Sequence, residues 1–358
     1  MVSNSTGDWT LSSVIVMGCW LSIIIFIGVF GNILVIIVSV QGTRVRTRGK
    51  SLIVSMACAD MLESLNMICV LITATSYGEW IFGDMMCTLH GFVTTQFVVT
   101  SMYSLMAISV NRYFMVVKSN HYKKVFSDRN LTMMITFIWI FPLVFAVPPL
   151  LGWSKYEFQS NKATCIFYFS TSMSYAISVM AFCVPLPLSI IVFCCYKIFV
   201  QVRQHKTRVQ AIGTSSNINV GEIRITKTLI IIIVAYLVCF IPPAVANLIE
   251  MGLPNYRIPF WVDVISMNLI FTNHANNPVI YGFFNRQYRQ AFKELLCRLL
   301  PGKSFISTSG DSVPNTQMSN AIRSARLVKR CNIEKDDGSS NPSGFLSAPT
   351  RMSRKIIP

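Results

Sequence analysis

The chain has 358 residues, of which 53% are hydrophobic and only 13% are charged, whereas soluble domains carry roughly a quarter charged residues. Its formal net charge of +16 comes from basic residues scattered among short connections, unlike the clustered patch of a nucleic-acid interface. Together these properties exclude a soluble protein and a nucleic-acid-binding protein, and they indicate a protein that lies in a membrane.

Seven apolar stretches are long enough to cross a bilayer, which takes about 20 apolar residues in a helix. The first, fourth, fifth and sixth contain no charged residue. We predict an all-α membrane protein with an external N-terminus (1–13), a seven-transmembrane-helix bundle (14–284), a short amphipathic eighth helix (285–300) and a disordered cytoplasmic tail (301–358). The seven stretches, spans one to seven, are 14–40, 51–75, 88–117, 131–151, 173–196, 228–249 and 260–284.

Basic residues predict the orientation of the chain, because they are retained on the cytoplasmic side of a membrane. The outer connections hold only Lys155, Lys162 and Arg257, while the inner connections and the tail hold most of the others. The N-terminus is therefore predicted to be extracellular, in a multi-pass protein of the plasma membrane whose basic face contacts anionic lipid. Asn4 begins a glycosylation sequon, which agrees with this orientation.

Three cysteines outside the middle of the spans carry predictions. Cys87, at the outer end of span three, and Cys165, in the second outer connection, lie on the oxidising side and form the natural disulfide pair. Cys297 lies among leucines just inside the membrane. It is a palmitoylation candidate, and a buried thiol in an amphipathic helix is the equal alternative.

Polar residues inside membrane spans are expensive, so each needs a partner or a role. Several fall in short motifs that occur in order along the chain. These are Gly31-Asn32, Ala59-Asp60, Trp80-Ile81-Phe82-Gly83, Asn111-Arg112-Tyr113, Trp139, Cys239-Phe240-Ile241-Pro242 and Asn277-Pro278-Val279-Ile280-Tyr281. In this set the chain resembles the rhodopsin-like, or class A, G-protein-coupled receptors over about residues 14–300.

Two branches of that family share further features with the chain. The chain is similar to melatonin receptors in the sequence Arg257-Ile258-Pro259 before span seven. It is similar to opsins in the sequence Pro148-Pro149-Leu150-Leu151-Gly152-Trp153. Covalent retinal needs a lysine in span seven, which has none and places Phe271 at that position. At two positions implied to contact melatonin, Pro149 replaces an asparagine and Phe169 a glutamine. The resemblance therefore implies a receptor near the split of the two groups, without covalent retinal.

The resemblance implies a sodium ion in the middle of the bundle. One carboxylate with neutral oxygens suits a monovalent cation, and a structural network without sodium is the alternative. The implied ligands are Asp60, Ser101, Asn273 and Asn277.

A second carboxylate, Glu63, lies one helical turn from Asp60, at about the depth of His274. We predict a Glu63–His274 pair or a ligand contact; a protonated Glu63 that is hydrogen-bonded to a neighbour is the equal alternative.

The ligand pocket is predicted by position in the resembling family. Span three offers no aspartate to anchor an amine, which disfavours an aminergic ligand. Aromatic and methionine stripes also serve helix packing, which is the alternative for each position. The predicted pocket residues are Glu63, Thr94, Thr95, Val98, Phe167, Phe240, Asn247, Met267, Phe271 and His274.

The cytoplasmic ends of the spans are predicted to carry transduction. Arg112 would pair with Glu222 at the start of span six in the resting state, and outward movement of span six would break the pair. Pro242 supplies the helix kink. The resemblance implies that the switch also includes Asn111, Tyr113, Tyr196, Asn277, Pro278 and Tyr281.

The resemblance implies a melatonin-receptor-like G-protein-coupled receptor that binds an extracellular small molecule and activates a heterotrimeric G protein of the inhibitory class. Arrestin and receptor kinases are further predicted partners, through serines and threonines after residue 301; an unmodified solubilising tail is the alternative. An opsin-related receptor without covalent retinal and, less favoured, a membrane transporter are the other functions considered. We expect no enzymatic activity and no cofactor apart from the sodium ion.

Overall fold

The computed structural model describes residues 9–41, 49–167, 171–212, 220–253, 256 and 258–299, without the side chains at 205–212, 220–227, 229 and 297–299. The chain divides into two units, Met1–Phe292 and Lys293–Pro358, and the helical bundle lies in the first. The predicted tail, 301–358, and Asn4 lie outside the described residues, as does the side chain of Cys297.

Helices make up almost all of the described chain. Two strands, β1 (Tyr156–Gln159) and β2 (Thr164–Phe167), form one antiparallel hairpin. The helices are α1 (Leu11–Phe26), α2 (Asn32–Gln41), α3 (Lys50–Thr75), α4 (Gly83–Val116), α5 (Ser119–Val125), α6 (Asp128–Ile140), α7 (Leu143–Ala146), α8 (Met173–Phe182), α9 (Pro185–Ile212), α10 (Val220–Gly252), α11 (Phe260–Phe284) and α12 (Arg286–Leu299).

Six helical segments among the described residues are long and apolar enough to cross a membrane. They are Leu11–Gln41, Lys50–Thr75, Gly83–Val116, Asp128–Leu151, Met173–Gln204 and Ile230–Gly252, and they correspond to predicted spans one to six.

Span seven is α11, which has 25 residues but carries many buried polar side chains. These side chains lower its mean hydropathy, because they face the other helices and not lipid. The buried polar residues are Asp263, Ser266, Asn268, Asn273, His274 and Asn277.

Several helices differ from the apolar stretches for local reasons. A π-helical turn at Ile27–Gly31 joins α1 to α2. Pro142 and Pro185 fall where span four and span five are interrupted, because proline lacks the amide hydrogen that a continuous helix needs. The helix of span three begins at Gly83, five residues before the apolar stretch, because hydropathy detects only the part of a helix that lies in lipid.

The β-hairpin lies in the second outer connection, against span three. The disulfide between Cys87 and Cys165 joins β2 to the outer end of α4, which confirms the predicted pairing. Tyr156 donates its hydroxyl to the carbonyl oxygen of Ala146 at 2.8 Å, and burial raises its pKa above the usual range. The Trp9 indole donates to the carbonyl oxygen of Ser160 at 3.0 Å. The hairpin is therefore tied to spans one, three and four.

Side-chain hydrogen bonds join spans two, three and four in the middle of the bundle. The Trp139 indole donates to Ser55 Oγ at 2.9 Å, and Gln96 Nε2 donates to the carbonyl oxygen of Trp139 at 2.8 Å. Large apolar side chains such as Phe26, Phe30 and Val144 point outward and remain exposed, as expected where lipid replaces water.

Candidate functional site

A cavity lies between spans three, five, six and seven, against β2. Its empty space, which includes a part that is open to solvent, amounts to about 700 Å³. Among the described residues, none that lines the cavity is charged. Such a lining suits an uncharged and mainly apolar ligand, because a buried charge without a partner is strongly unfavourable.

Seven of the predicted pocket residues line this cavity, and three do not. Phe271 is 1% exposed and belongs to an apolar cluster with residues of spans one and two. Glu63 and His274 are fully buried outside the cavity lining. The seven that line it are Thr94, Thr95, Val98, Phe167, Phe240, Asn247 and Met267.

Sequence reasoning missed the part of the cavity that span five supplies. Span five is apolar on every side, so its sequence does not show which face meets the ligand. Its orientation is set by packing against α4, around the interruption before Pro185. The missed residues on this span are Val179, Met180, Cys183 and Val184.

Three polar side chains reach the cavity, and two of them already have partners. Thr95 donates its hydroxyl to the carbonyl oxygen of Gly91 at 2.8 Å. Thr94 accepts from Asn66 Nδ2 at 2.8 Å. Within the described part of the chain, Asn247 lines the cavity without a hydrogen bond to protein. Its amide is therefore available to a ligand as both donor and acceptor.

A buried polar network, which we call the Asn66 network, runs from the hairpin to Glu63. His90 Nε2 lies 2.9 Å from Thr164 Oγ1 on β2, and His90 Nδ1 lies 3.1 Å from Asn66 Oδ1. Asn66 Nδ2 donates to Thr94 and, at 3.4 Å, to Glu63 Oε2. The network therefore connects the outer connection, the cavity wall and the middle of span two.

The predicted pairing of Glu63 with His274 is not observed. His274 Nδ1 lies 2.8 Å from Asp60 Oδ1, while Glu63 accepts from Asn66 in span two. The correct alternative for Glu63 is therefore the hydrogen bond to a neighbour. Among the described residues, neither Glu63 Oε1 nor His274 Nε2 has a hydrogen-bond partner, and both atoms are buried.

Asp60 holds spans two, three and seven together. Ser101 Oγ donates to Asp60 Oδ1 at 2.6 Å, and Asn277 Nδ2 donates to Asp60 Oδ2 at 2.7 Å. His274 supplies the third contact. Asp60 and His274 have no solvent exposure, and Ser101 and Asn277 are 2% and 5% exposed. Three charge-assisted hydrogen bonds stabilise an ionised carboxylate at this depth.

These residues do not fit the sodium ion that the resemblance implies. A hard cation needs oxygen lone pairs, but two of the three contacts direct N–H groups at the carboxylate. Asn273 is buried at 7% exposure, and among the described hydrogen bonds none joins it to Asp60. His274, which the sequence predicted to pair with Glu63, occupies the space beside Asp60.

At the end of span three that is predicted to be cytoplasmic, the switch residues lie close to the connection between spans three and four. Asn111 is 2% exposed, and its Nδ2 lies 3.5 Å from the Tyr122 hydroxyl on α5. Arg112 Nη1 lies 3.6 Å from Met115 Sδ. The side chain of Glu222 lies outside the described residues, so the predicted Arg112–Glu222 pair stays a prediction.

Of the three switch tyrosines, Tyr281 and Tyr196 differ in burial. Tyr281 is buried and stacks on Tyr288 of α12 at 5.0 Å between ring centroids, and the Tyr288 hydroxyl lies 2.9 Å from Ser39 Oγ. Tyr196 is 62% exposed and faces outward, so its part in the switch stays a prediction. It lies one residue further from Pro187 than the resembling family has it, and one residue rotates a helical side chain by about 100°.

Comparison with known proteins agrees with this architecture. The family model of the 7 transmembrane receptor (rhodopsin family) matches residues 31–281. Melatonin receptor type 1A of Phodopus sungorus is 27% identical over 87% of this chain and 88% of its own. Melatonin receptor type 1C of Gallus gallus is 30% identical over 81% and 84%.

A solved structure agrees at the level of the fold. The crystal structure of squid rhodopsin superposes with a TM-score of 0.71, covers 92% of both chains and is 22% identical. From the motifs, the seven-helix arrangement and these matches, the chain belongs to the rhodopsin family of seven-transmembrane receptors, and melatonin receptors are among its relatives.

Proposed function

We propose that this receptor binds an uncharged, mainly apolar small molecule with at least one hydrogen-bonding group. The observation that carries the proposal is the cavity lining, in which no described residue is charged and the Asn247 amide has no hydrogen bond to a described residue. A cationic amine would lose its hydration there without gaining a carboxylate.

The relatives suggest where to begin the search for a ligand. The relatives are named melatonin receptors, and melatonin is a neutral molecule of the proposed kind. Pro149 and Phe169 cannot make the side-chain hydrogen bonds of an asparagine and a glutamine. We therefore propose a ligand of similar character that hydrogen-bonds to span six, through Asn247. Covalent retinal is not proposed, because span seven contains no lysine.

We further propose activation of an inhibitory-class heterotrimeric G protein at the plasma membrane, followed by receptor kinases and arrestin. The orientation is supported by the Cys87–Cys165 disulfide. Disulfides persist on the oxidising side of a membrane, and Trp9 contacts the same hairpin. The N-terminal end of span one is therefore proposed to be extracellular.

The test is nucleotide exchange on an inhibitory-class G protein by the purified receptor in lipid discs. Melatonin and other neutral indoles are compared with cationic amines of equal size. We expect a neutral compound to accelerate exchange and Asn247→Leu to weaken its potency by about 2- to 13-fold, as for one lost hydrogen bond of about 0.5–1.5 kcal/mol. Leu248→Ala is the control, since Leu248 is 48% exposed and does not line the cavity. Activation by the amines alone would contradict the proposed ligand class, and no exchange with any compound or without ligand would contradict G-protein coupling.

A further inference from the structure

The histidine beside Asp60 changes what this part of the receptor can bind. A carboxylate offers about four lone-pair positions on its two oxygens. Asp60 Oδ1 already accepts from Ser101 and His274, and Oδ2 accepts from Asn277. Both positions on Oδ1 are therefore occupied by protein donors.

The electrostatics point in the same direction. His274 and Asn277 each direct the positive end of an N–H bond at the carboxylate, in the place where a cation would need negative oxygens. Of the three atoms in contact with Asp60, which are Ser101 Oγ, His274 Nδ1 and Asn277 Nδ2, only the Ser101 oxygen has lone pairs that could also bind a cation. Nδ1–H is present in the neutral Nδ1–H tautomer and in the imidazolium, so the argument holds for either form of the ring.

The backbone of His274 is held in place as well. Its carbonyl oxygen accepts from Asn32 Nδ2 in span one at 3.0 Å, and the same Asn32 nitrogen donates to the Gly28 carbonyl oxygen at 2.7 Å. The backbone that carries the imidazole therefore cannot move away from Asp60 without movement of span seven against span one. An ion can diffuse away from the site, whereas the imidazole stays attached to span seven.

We propose that the His274 imidazole takes the place of a sodium ion at Asp60, so that the resting state of this receptor is held by a side chain and is not controlled by sodium. The contact links span two to span seven directly, three residues before Asn277. Displacement of span seven during activation must break it or carry Asp60 with it. This inference does not depend on the ligand or on the G protein proposed above.

The first measurement is the melting temperature of the full-length purified receptor in NaCl and in choline chloride at equal ionic strength. The wild-type receptor is expected to show no sodium-specific shift. His274→Ser removes the donor and leaves an oxygen in a space that a hydrated cation can reach. We expect this variant to gain a sodium-specific rise on the order of 2–4 °C, which the double variant His274→Ser/Asp60→Asn loses.

A second buried histidine provides the control. His90 is 1% exposed and contacts Asn66 and Thr164. It lies on span three, well before Ser101, which is the residue of that span that contacts Asp60. His90→Ser should therefore create no sodium dependence. Broadening of the sodium-23 resonance is an independent readout that needs no ligand, and it should increase with His274→Ser and not with the wild-type receptor.

Two results would overturn the proposal. A sodium-specific rise in the wild-type melting temperature that Asp60→Asn abolishes would show that the ion binds with His274 present. A folded His274→Ser receptor that remains insensitive to sodium would show that His274 is not what excludes it. Should His274→Ser fail to fold, the comparison of wild type with Asp60→Asn and the same measurements on His274→Asn still decide the question.

Discussion

At the scale of the residue, Asn111 replaces the acid that commonly precedes the conserved arginine of this family. A carboxylate would hold the Arg112 guanidinium through charge-assisted hydrogen bonds, whereas an amide offers only a weaker carbonyl acceptor. Asn111 is buried and its nitrogen faces Tyr122 on α5. The resting position of Arg112 therefore depends on other contacts, with Glu222 as the predicted one.

We expect Asn111→Asp to lower nucleotide exchange in the absence of ligand. The added carboxylate would stabilise the resting arrangement of Arg112 by about 1 kcal/mol or less, which changes the basal rate by up to about fivefold. The measurement is basal G-protein activation at matched surface expression. Asn120→Asp is the control, since Asn120 lies on α5 and is exposed. An unchanged or higher basal rate in Asn111→Asp would show that the missing carboxylate does not determine the resting state.

At the scale of the element, the β-hairpin is attached to the outer ends of spans six and seven by one lysine. Lys162 Nζ lies 3.3 Å from Glu250 Oε2 and 3.9 Å from Asp263 Oδ1, and its side chain is 8% exposed. Asn161 Nδ2 lies 3.5 Å from Asp263 Oδ2. These contacts connect the hairpin to both helices. Because the ion pairs are partly buried, salt screens them less than it screens a surface pair.

Lys162→Met should lower the melting temperature of the receptor, because it leaves Glu250 and Asp263 as neighbouring carboxylates without their cation. The free energy of unfolding is expected to fall by roughly 1–3 kcal/mol, as when one partner of a buried hydrogen bond is removed. Lys155→Met is the matched control, since Lys155 is exposed in the same connection. Equal melting temperatures for the two variants would mean that the lysine bridge contributes no stability. Hydrogen exchange at the outer end of span six should increase only in Lys162→Met.

At the scale of the whole molecule, buried polar groups extend from the outer connection towards the cytoplasmic motifs. The Asn66 network begins at Thr164, beside the disulfide, and ends at Glu63. Asp60 lies one helical turn from Glu63 on span two, and it accepts a hydrogen bond from Asn277 of span seven. The cavity wall at Thr94 belongs to the first of these groups, so a ligand contact there acts on side chains of spans two and three.

A double-mutant cycle tests whether the Asn66 network acts as a unit. Asn66→Leu and His90→Leu should each lower stability by roughly 1–3 kcal/mol, because each leaves a buried partner without a hydrogen bond. The double variant should lose less than the sum, with a coupling energy of about 0.5–3 kcal/mol. Chemical or thermal unfolding of the purified receptor gives these values. Strictly additive losses would show that the two side chains are energetically independent.

The amino-acid sequence by itself determined the class of protein, the spans and the disulfide. Membrane spans are visible because bilayer thickness sets their length and lipid sets their composition. Even span seven, whose polar residues lower its hydropathy, is marked by Asn277, Pro278 and Tyr281. Cys87 and Cys165 could be paired because few cysteines lie on the oxidising side.

The pairing of polar groups inside the bundle became visible with the packing of the helices. His274 binds Asp60 and not Glu63, and Tyr196 faces outward. The span-five face of the cavity was likewise absent from the sequence prediction. Each depends on the rotation and depth of one helix against another. A shift by one residue turns a side chain by about 100° around the helix. The hydropathy of an apolar helix does not change with such a rotation. The packing of the helices therefore fixes which side chains become partners.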